Sequence, residues 1–364
     1  MPHLYTDEQR HIRDEVRRAL STAASNARLR DLLEKPGMHD TVFWQTAREL
    51  GWNAMAIPEA HGGLGMGLVD SLIVAEECGR ALAGAPFLAT NLAVAHALTA
   101  ASDPTGLLGR IADGHAIAAL AFAEGSEPLP ASPTTRLEEG RLFGTKTAVL
   151  GGAAADVALV LATDGGVPCL VLADLDGAGV TRDAPPTLDP SRAIAHLAFD
   201  GAPAVRLATT NAQALAGACQ LRLGLFLAAE SVGGADACIA LSRDYANERQ
   251  AFGQAIGKFQ AVKHAIAEMW VLNEMARASV LDAALRLDRG DADAPAYAAA
   301  ARLNAVQAYE TSAASATQIH GGIGVTWEAD LHLHYRRSRT LAVEAGARPY
   351  WEDLIVTVLE GKAA

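Results

Sequence analysis

The sequence has few aromatic residues and no run of basic residues, and both features limit the folds and functions that can be expected of the protein. Aromatic side chains make up 5% of the 364 residues, whereas half of the residues are hydrophobic and alanine dominates this apolar set. Such a composition favours tightly packed helices, and the length favours two or three domains or layers. The formal net charge is −12 without a lysine/arginine cluster. Nucleic-acid binding, which needs a basic surface, is therefore not expected.

The cysteines and the N-terminus also lack the patterns of several protein classes. The cysteines are scattered, with neither a CxxC pair nor metal-ligand spacing, which indicates buried free thiols: they are Cys78, Cys169, Cys219 and Cys238. The N-terminal stretch MPHLYTDEQRHIRDEV contains no apolar signal core, and no apolar run approaches 18 residues. We therefore expect a cytoplasmic protein that does not span a membrane.

Hydrophobic periodicity divides the chain into three parts. Residues 1–115 have helical spacing of their apolar positions. Residues 116–205 carry short β-type runs separated by Pro, Gly and Asp, a pattern typical of an antiparallel barrel or sandwich. Residues 206–364 return to long helical segments, which pack best as an up-down bundle. We predict an α+β, mainly α fold with an N-terminal helical domain, a middle antiparallel β domain and a C-terminal four-helix bundle.

Local signals mark the ends of individual helices. Thr6 precedes an acidic first turn and is a good N-cap, and Gly51 follows a helix end as a C′ residue. In the long apolar segment after residue 211, only Gly233 and Gly234 are expected to break the helix.

The segment NERQAFGQAIGKFQ, residues 247–260, separates two long helical stretches. Arg249 presents a fork of donors suited to a phosphate or carboxylate, Phe252 is an aromatic plate, and Gln260 can donate and accept. Glycines at 253 and 257 allow a tight connection. This set would suit a bound dinucleotide. An ordinary helix hairpin, with Arg249 paired to a neighbouring acid, remains an equally good interpretation.

A second glycine-rich segment, QIHGGIGVTWEADLHLHYRR, covers residues 318–337. Its glycines expose backbone N–H groups that can approach phosphates, but the segment is neither a Walker A loop nor GxGxxG. The spacing of His320, Glu328, His332 and His334 fits no standard metal site, and HLH on a helix points its imidazoles to different faces. We expect no metal.

Together these segments resemble the acyl-CoA dehydrogenase family, which is FAD-dependent. The stretch DYANERQAFGQAIGKFQAVKHAIAEM is similar to the family's "Y…R.QFG..I..FQ" segment, and QIHGGIGVTWE to its "Q.hGG.G.T.E" segment. FWQTARELGWNAMAIPEAHGGLG and GRLFGTKTAVLGGAAADVALVLA resemble its N-terminal and β-domain segments. The resemblance covers nearly the whole chain. It implies that a carboxylate takes the α-proton of an acyl-CoA while a hydride passes from the β-carbon to the flavin.

The resemblance also implies roles for individual residues. Arg249 would bind the FAD pyrophosphate, Phe252 would pack against the cofactor, and Gln260 would meet the adenosine part. Further contacts to the same cofactor would come across a subunit interface from Gln318, Gly321 and Gly322. Arg222 matches an arginine that other members place near the active site, and is expected to contact substrate. Electron-transfer flavoprotein is the expected electron acceptor, and the assembly is expected to be a homo- or hetero-oligomer, a dimer of dimers.

The sequence departs from the family at the catalytic base. Common members carry a glutamate immediately before a glycine, and the residue before Gly346 here is Ala345; Glu344 lies one residue away. Another arrangement puts the base near Leu223, which cannot serve. Glu230, an acid in an apolar stretch, is our first candidate for the base and Glu344 the second. The alternative for Glu230 is a buried glutamate bonded to backbone or paired with an arginine.

The β domain departs from the family as well. Where members carry an "EPGAGSD"-like flavin loop, this chain has AEGSEPLPASPT. Where they carry a "W.TNG"-like strand, it has TAVLGG, which lacks the tryptophan. This mixture resembles actinobacterial hetero-oligomeric members that act on steroid side chains. Two alternatives to a dehydrogenase therefore stay open: a non-catalytic subunit that completes a partner's flavin site, and a flavin oxidase or monooxygenase on the same fold.

Overall fold

A computed structural model describes residues 5–83 and 87–361. The first four and last three residues of the predicted outer domains lie outside this part. The helices, in chain order, are α1 (Asp7–Ala23), α2 (Asn26–Leu33), α3 (Thr41–Glu49), α4 (Leu68–Arg80), α5 (Phe87–Ala101), α6 (Leu107–Ala112), α7 (Ala212–Glu248), α8 (Gln260–Arg289), α9 (Ala294–His320), α10 (Leu331–Leu341) and α11 (Arg348–Leu359). The strands are β1 (Ala118–Ala121), β2 (Arg136–Glu138), β3 (Arg141–Val149), β4 (Val157–Asp164), β5 (Val167–Asp174), β6 (Val180–Asp183), β7 (Ala195–Arg206), β8 (Gln250–Ala251) and β9 (Gln254–Ala255).

The predicted fold class is confirmed: helices, then a β domain, then helices again. Contacts divide the chain into two compact units that are discontinuous in sequence. Within the described residues, one unit consists of 5–30, Leu72–Ala83 and 225–361, and the other of Asp31–Ser71 and 87–224. The domain boundaries near residues 115 and 205 therefore stay a prediction.

The β domain lies in the second unit and is barrel-like. Its strands are ordered β1-β4-β2-β3-β7-β5, β5 also pairs with β4, and β6 pairs with β7, so that β4, β2, β3, β7 and β5 form a closed ring. Most pairings are antiparallel, but β1 and β2 run parallel to β4, which corrects the expectation of a purely antiparallel domain. Alternating residues of these strands fill the interior with small and aliphatic side chains, among them Ala158, Val160 and Leu197.

In the first unit, α9 packs against α8, α10 and α11. The helix ends follow the sequence where capping residues are present. Thr6 caps α1 in a capping box with Gln9, and Gly51 adopts the left-handed conformation (φ 70°) after α3, as predicted.

Gly233 and Gly234 do not break α7, which corrects the prediction. A Cβ on Gly233 would lie 1.7 Å from the carbonyl oxygen of Glu76 on α4, and one on Gly234 would lie 2.3 Å from the ring of Tyr309 on α9. These glycines serve packing, because only a residue without a side chain allows such close approach.

By length and composition, α7 could cross a membrane, which qualifies the expectation that no segment approaches such a span. However, 83% of its most apolar 18-residue window is buried inside the protein, as in a core helix. The four cysteines are free and buried, as predicted.

Candidate active site

The segment between α7 and α8 is a compact connection held by backbone hydrogen bonds. The short strands β8 and β9 form a hairpin whose turn contains Phe252 (φ 50°) and Gly253 (φ 79°). The amide of Ile256 donates to the carbonyl of Arg249 at 2.9 Å, which closes the hairpin base. A Cβ on Gly257 would lie 3.0 Å from the carbonyl oxygen of Ala246, so this glycine lets the connection pass close to α7.

The side chains predicted to hold the cofactor point outward on this connection. Arg249 and Gln260 are exposed, and Phe252 is 97% exposed, with only an edge contact to Phe259 at 6.2 Å between ring centroids. A fully exposed phenylalanine in a strained turn is unusual for a free surface. We call residues 249–260 the cofactor segment.

The second predicted cofactor motif lies at the end of α9 in the same unit. Gln318, Gly321 and Gly322 are exposed, and a Cβ on either glycine would meet no atom within 4 Å. The ring of Tyr245, near the end of α7, stacks on His320 with centroids 4.2 Å apart and an interplanar angle of 22°. This contact brings the two motifs to the same end of the helices.

This donor set fits the pyrophosphate and adenosine part of FAD. It offers an exposed guanidinium, two exposed amide side chains, an open aromatic face and unobstructed glycine backbone, all suited to a phosphate-containing ligand. The individual roles of these residues stay predictions.

Glu230 is paired with an arginine inside the first unit. Its Oε1 lies 2.9 Å from Nη1 of Arg337 on α10, and the two side chains are 5% and 0% exposed. Arg337 also donates to the carbonyl of Ala83 at 3.3 Å. A Cβ on Gly79 would lie 1.9 Å from the carbonyl of Glu230, so α4 packs directly on this turn of α7. The structure thus matches the alternative interpretation of Glu230, a buried glutamate paired with an arginine; its catalytic role stays a prediction.

Glu344 lies in a turn between α10 and α11, which we call the Glu344 turn (residues 341–346). The helix ends at Leu341, and the amide of Glu344 still donates to the carbonyl of Thr340 at 3.2 Å. The next residue, Ala345, has φ 58°, and Gly346 has φ 112°. Glu344 itself is buried, with 6% exposure.

Backbone geometry changes the comparison with the family at this turn. A glycine after the catalytic glutamate is the residue expected where the backbone takes a positive φ. In this chain Ala345 and Gly346 both have a positive φ, so Glu344 and Ala345 each precede such a residue. Glu344 and Ala345 thus both meet this backbone criterion, and of the two only Glu344 carries an acid; its catalytic role stays a prediction.

Arg222 lies in the second unit, on the first half of α7, and is half-buried. Its guanidinium is 3.5 Å from the carbonyl of Ala218, one turn earlier. Burial, and then the nearby charge of Arg222, lower the pKa of His96 on α5 to about 4. Arg222 and His96 are therefore neighbours, with the imidazole neutral at physiological pH.

The loop that replaces the family's flavin loop, residues 123–134, is held in place by a buried ion pair in the β domain. The Nζ of Lys146, which is fully buried, lies 2.7 Å from the carboxylate of Glu124 and 3.1 Å from the carbonyl of Phe122. The backbone and hydroxyl groups of Thr134 and Thr135 donate to the same carboxylate. Burial would raise the pKa of Glu124, but the hydrogen bonds from Lys146 and then from Thr134 and Thr135 outweigh it and hold the pKa at about 2.

The strand that lacks the family's tryptophan is irregular. Strand β3 is out of regular register with β7 between Lys146 and Val149, and Ala148 within this bulge has φ 48°. The amide of Ala148 donates to Nδ1 of His196 at 3.2 Å. Ala148 and Leu150, at the tryptophan and threonine positions of the motif, offer neither an aromatic plate nor a hydroxyl. The flavin-ring side of the site thus lacks the aromatic and hydroxyl side chains of the family's motif.

The two histidines of HLH lie in different surroundings. His332 stacks on Trp327 at 4.4 Å, whereas His334 is buried and lies 2.9 Å from the hydroxyl of Tyr309. Burial, and then the charge of Arg337, lower the pKa of His334 to about 3. Among the described residues no group of three or more His, Cys, Asp or Glu could hold a metal ion.

Sequence reasoning missed two buried arginines, Arg302 and Arg337. Each is at most 1% exposed. The signal that could have found Arg302 is its isolation in the alanine-rich stretch AAAARLNA, because an arginine in a buried helix needs partners to offset its desolvation.

Comparisons with known proteins agree with this layout. The sequence models described as acyl-CoA dehydrogenase, N-terminal domain, and acyl-CoA dehydrogenase, C-terminal domain, match residues 6–105 and 222–358. The chain belongs to the acyl-CoA dehydrogenase family, whose members are oxidoreductases acting on CH–CH bonds.

Three similar proteins illustrate this membership. Acyl-CoA dehydrogenase IpdE2 of Mycobacterium tuberculosis is 33% identical over 91% of both chains. Acyl-CoA dehydrogenase FadE34 of the same organism is 32% identical over 95% of this chain but 47% of its own length. The solved structure of a variant of the Tcur3481–Tcur3483 steroid ACAD superposes with a TM-score of 0.89, at 26% identity, over 98% of this chain and 99% of that one.

Proposed function

We propose that this chain carries out the α,β-dehydrogenation of an acyl-CoA thioester with bound FAD, and that Glu344 is the base. The observation that carries the assignment of the base is the Glu344 turn, in which a buried carboxylic acid directly precedes two residues with a positive φ. FAD, when bound, accepts the hydride from the β-carbon. Glu344 would remove the α-proton, and its burial, with 6% of the residue exposed, would keep bulk water away from the reacting carboxylate.

The cofactor segment supports FAD as the bound group. Arg249, Phe252 and Gln260, with Gln318 at the end of α9, would hold the pyrophosphate and adenosine, and the open glycines would let that part of the cofactor lie against the backbone. The near-complete exposure of Phe252 favours a cofactor site that is completed by a second subunit. A dimer of dimers, located in the cytoplasm, with electron-transfer flavoprotein as electron acceptor, completes the proposal.

Steady-state turnover of three variants tests the base. Glu344→Gln keeps the size of the side chain and removes its basicity; we expect a loss of turnover of about 100-fold or more with the flavin retained. Glu352→Gln, an exposed acid on α11, is the matched control and should keep full turnover. If Glu344→Gln keeps turnover and Glu230→Gln loses it without losing stability, the base is Glu230.

A second candidate function is favoured by the bulge at Ala148. A chain without the aromatic and hydroxyl contacts on the flavin-ring side could complete a partner's flavin site instead of holding its own. FadE34 extends beyond its match by about as much chain again, and the Tcur3481–Tcur3483 enzyme is named by two polypeptides, which supports cooperation between two such chains. Flavin content of the chain purified alone decides: a flavin-free chain that restores turnover to a partner would establish this second function. An oxidase or monooxygenase is not favoured by the relatives.

A further inference from the structure

The Glu344 turn is held by two buried side-chain donors from neighbouring helices. Arg302 on α9, 1% exposed, donates from Nη2 to the carbonyl of Glu344 at 3.0 Å and, from the same nitrogen, to the carbonyl of Leu341. Trp351 on α11, also 1% exposed, donates from its indole N–H to the carbonyl of Gly346 at 2.9 Å. Three carbonyls of one short turn are thus fixed from both sides.

This arrangement is more than an ordinary helix end. The last carbonyls of a helix usually bind water or a left-handed cap residue, which needs no buried charge. Burying a guanidinium is strongly unfavourable unless hydrogen bonds replace those it made to water. The turn also contains Ala345 in a conformation that is unfavourable for any residue except glycine, and such strain persists only where the surroundings hold it.

We propose that Arg302 is a positioning residue, assisted by Trp351: it fixes the Glu344 turn and thereby the place of the Glu344 carboxyl. The inference rests on the proposed role of Glu344 as the base. Arginine suits this task because its guanidinium is rigid and always charged, so one nitrogen can serve two carbonyls three residues apart. Proton transfer from carbon depends strongly on placement, and a shift of about 1 Å in a reacting group can lower the rate by about 100-fold.

Substitutions at Arg302 and Trp351 separate positioning from general stability. Arg302→Gln removes the charge and the long reach, Arg302→Lys keeps one charged donor, and Trp351→Phe removes only the indole N–H. Arg348→Gln, two residues after Gly346 and exposed, is the matched control. Each chain is purified in its natural assembly, and kcat, KM, flavin content and backbone hydrogen exchange of residues 341–347 are measured, with Glu344→Gln alongside.

We expect Arg302→Gln to lower kcat by about 10- to 100-fold, with KM and flavin content within about twofold and faster exchange confined to residues 341–347. Arg302→Lys should recover part of kcat, and Trp351→Phe should show a smaller loss with the same local exchange. The control should match the native chain. Should Arg302→Gln fail to fold, Arg302→Lys and Trp351→Phe give the same comparison.

Two results would overturn the inference in distinguishable ways. If Glu344→Gln abolishes turnover while the Arg302 and Trp351 variants keep the native kcat, Glu344 remains the base and the proposed positioning role of Arg302 is wrong. If Glu344→Gln turns over like the native chain, the base assignment fails, and the positioning role fails with it.

Discussion

Replacing Arg337 with methionine removes the cation of a buried ion pair and keeps a side chain of similar length. In the native chain the guanidinium lies 2.9 Å from Glu230 and also bonds the carbonyl of Ala83. The variant leaves the Glu230 carboxyl without this partner, where 5% of its side chain is exposed. This perturbation asks whether Glu230 serves the fold.

The expected cost is large because both groups are buried. Breaking a buried pair by removing one partner costs about 3–5 kcal/mol, whereas an exposed pair contributes about 0–1 kcal/mol. A matched exposed pair is formed by Arg339, on the same helix α10 as Arg337, and Glu310 on α9; their side chains are 53% and 30% exposed. We therefore expect Arg337→Met to lower the free energy of unfolding by about 3–5 kcal/mol and Arg339→Met by less than about 1 kcal/mol.

Urea unfolding followed by circular dichroism measures these differences through the shift in midpoint at constant slope. The double variant Glu230→Leu with Arg337→Met should regain most of the lost stability, because a buried pair can be replaced by apolar residues at little cost. A cost for Arg337→Met no larger than that for Arg339→Met would refute the structural role of the pair. A double variant that is less stable than Arg337→Met would refute it as well.

Three further predictions follow from packing, backbone strain and pH. Gly233→Ala should lower the free energy of unfolding by more than about 2 kcal/mol, because the added Cβ would overlap the carbonyl of Glu76. On the same helix, a Cβ at Gly217 would have its nearest neighbour 4.0 Å away, so Gly217→Ala should be neutral or stabilising by about 0.5–1 kcal/mol. The midpoints of urea unfolding test both. Ala345→Gly should raise stability by up to about 1 kcal/mol by relieving the positive φ, and an unchanged or lower thermal midpoint would contradict this. The pKa of Glu124 is held at about 2, below its ordinary value, so its contribution to the free energy of unfolding is present above about pH 4.5 and is lost as the pH falls towards 2. Glu124→Gln should therefore reduce the loss of stability at acidic pH. An identical acid dependence of stability in the two chains would disprove this.

Local signals predicted the parts of the fold that depend on residues close in sequence. Thr6 caps α1 through its neighbour Gln9, and the Pro, Gly and Asp turns between short apolar runs delimit the strands. The connection between α7 and α8 was also located by its own residue types, because its glycines mark a break between two helices without any distant contact; its role in binding the cofactor stays a prediction.

The sequence could not predict features that depend on distant partners. Gly233 and Gly234 look like helix breakers until α4 and Tyr309 are seen against them. Glu230 looks like an isolated acid in an apolar helix until Arg337, 107 residues away, is seen beside it. The Glu344 turn shows a third limit, because Ala345 has a positive φ as well as Gly346, and the residue type of an alanine does not predict this conformation.

The most direct test of the account is anaerobic mixing of the native chain and the Glu344→Gln chain with acyl-CoA thioesters, while the flavin absorbance is followed. The account predicts that the native chain carries flavin that bleaches on mixing, that an α-deuterated substrate slows the bleaching, and that the Glu344→Gln chain keeps its flavin unbleached. A Glu344→Gln chain that bleaches at the native rate, or a native chain that is colourless in its natural assembly, would contradict it.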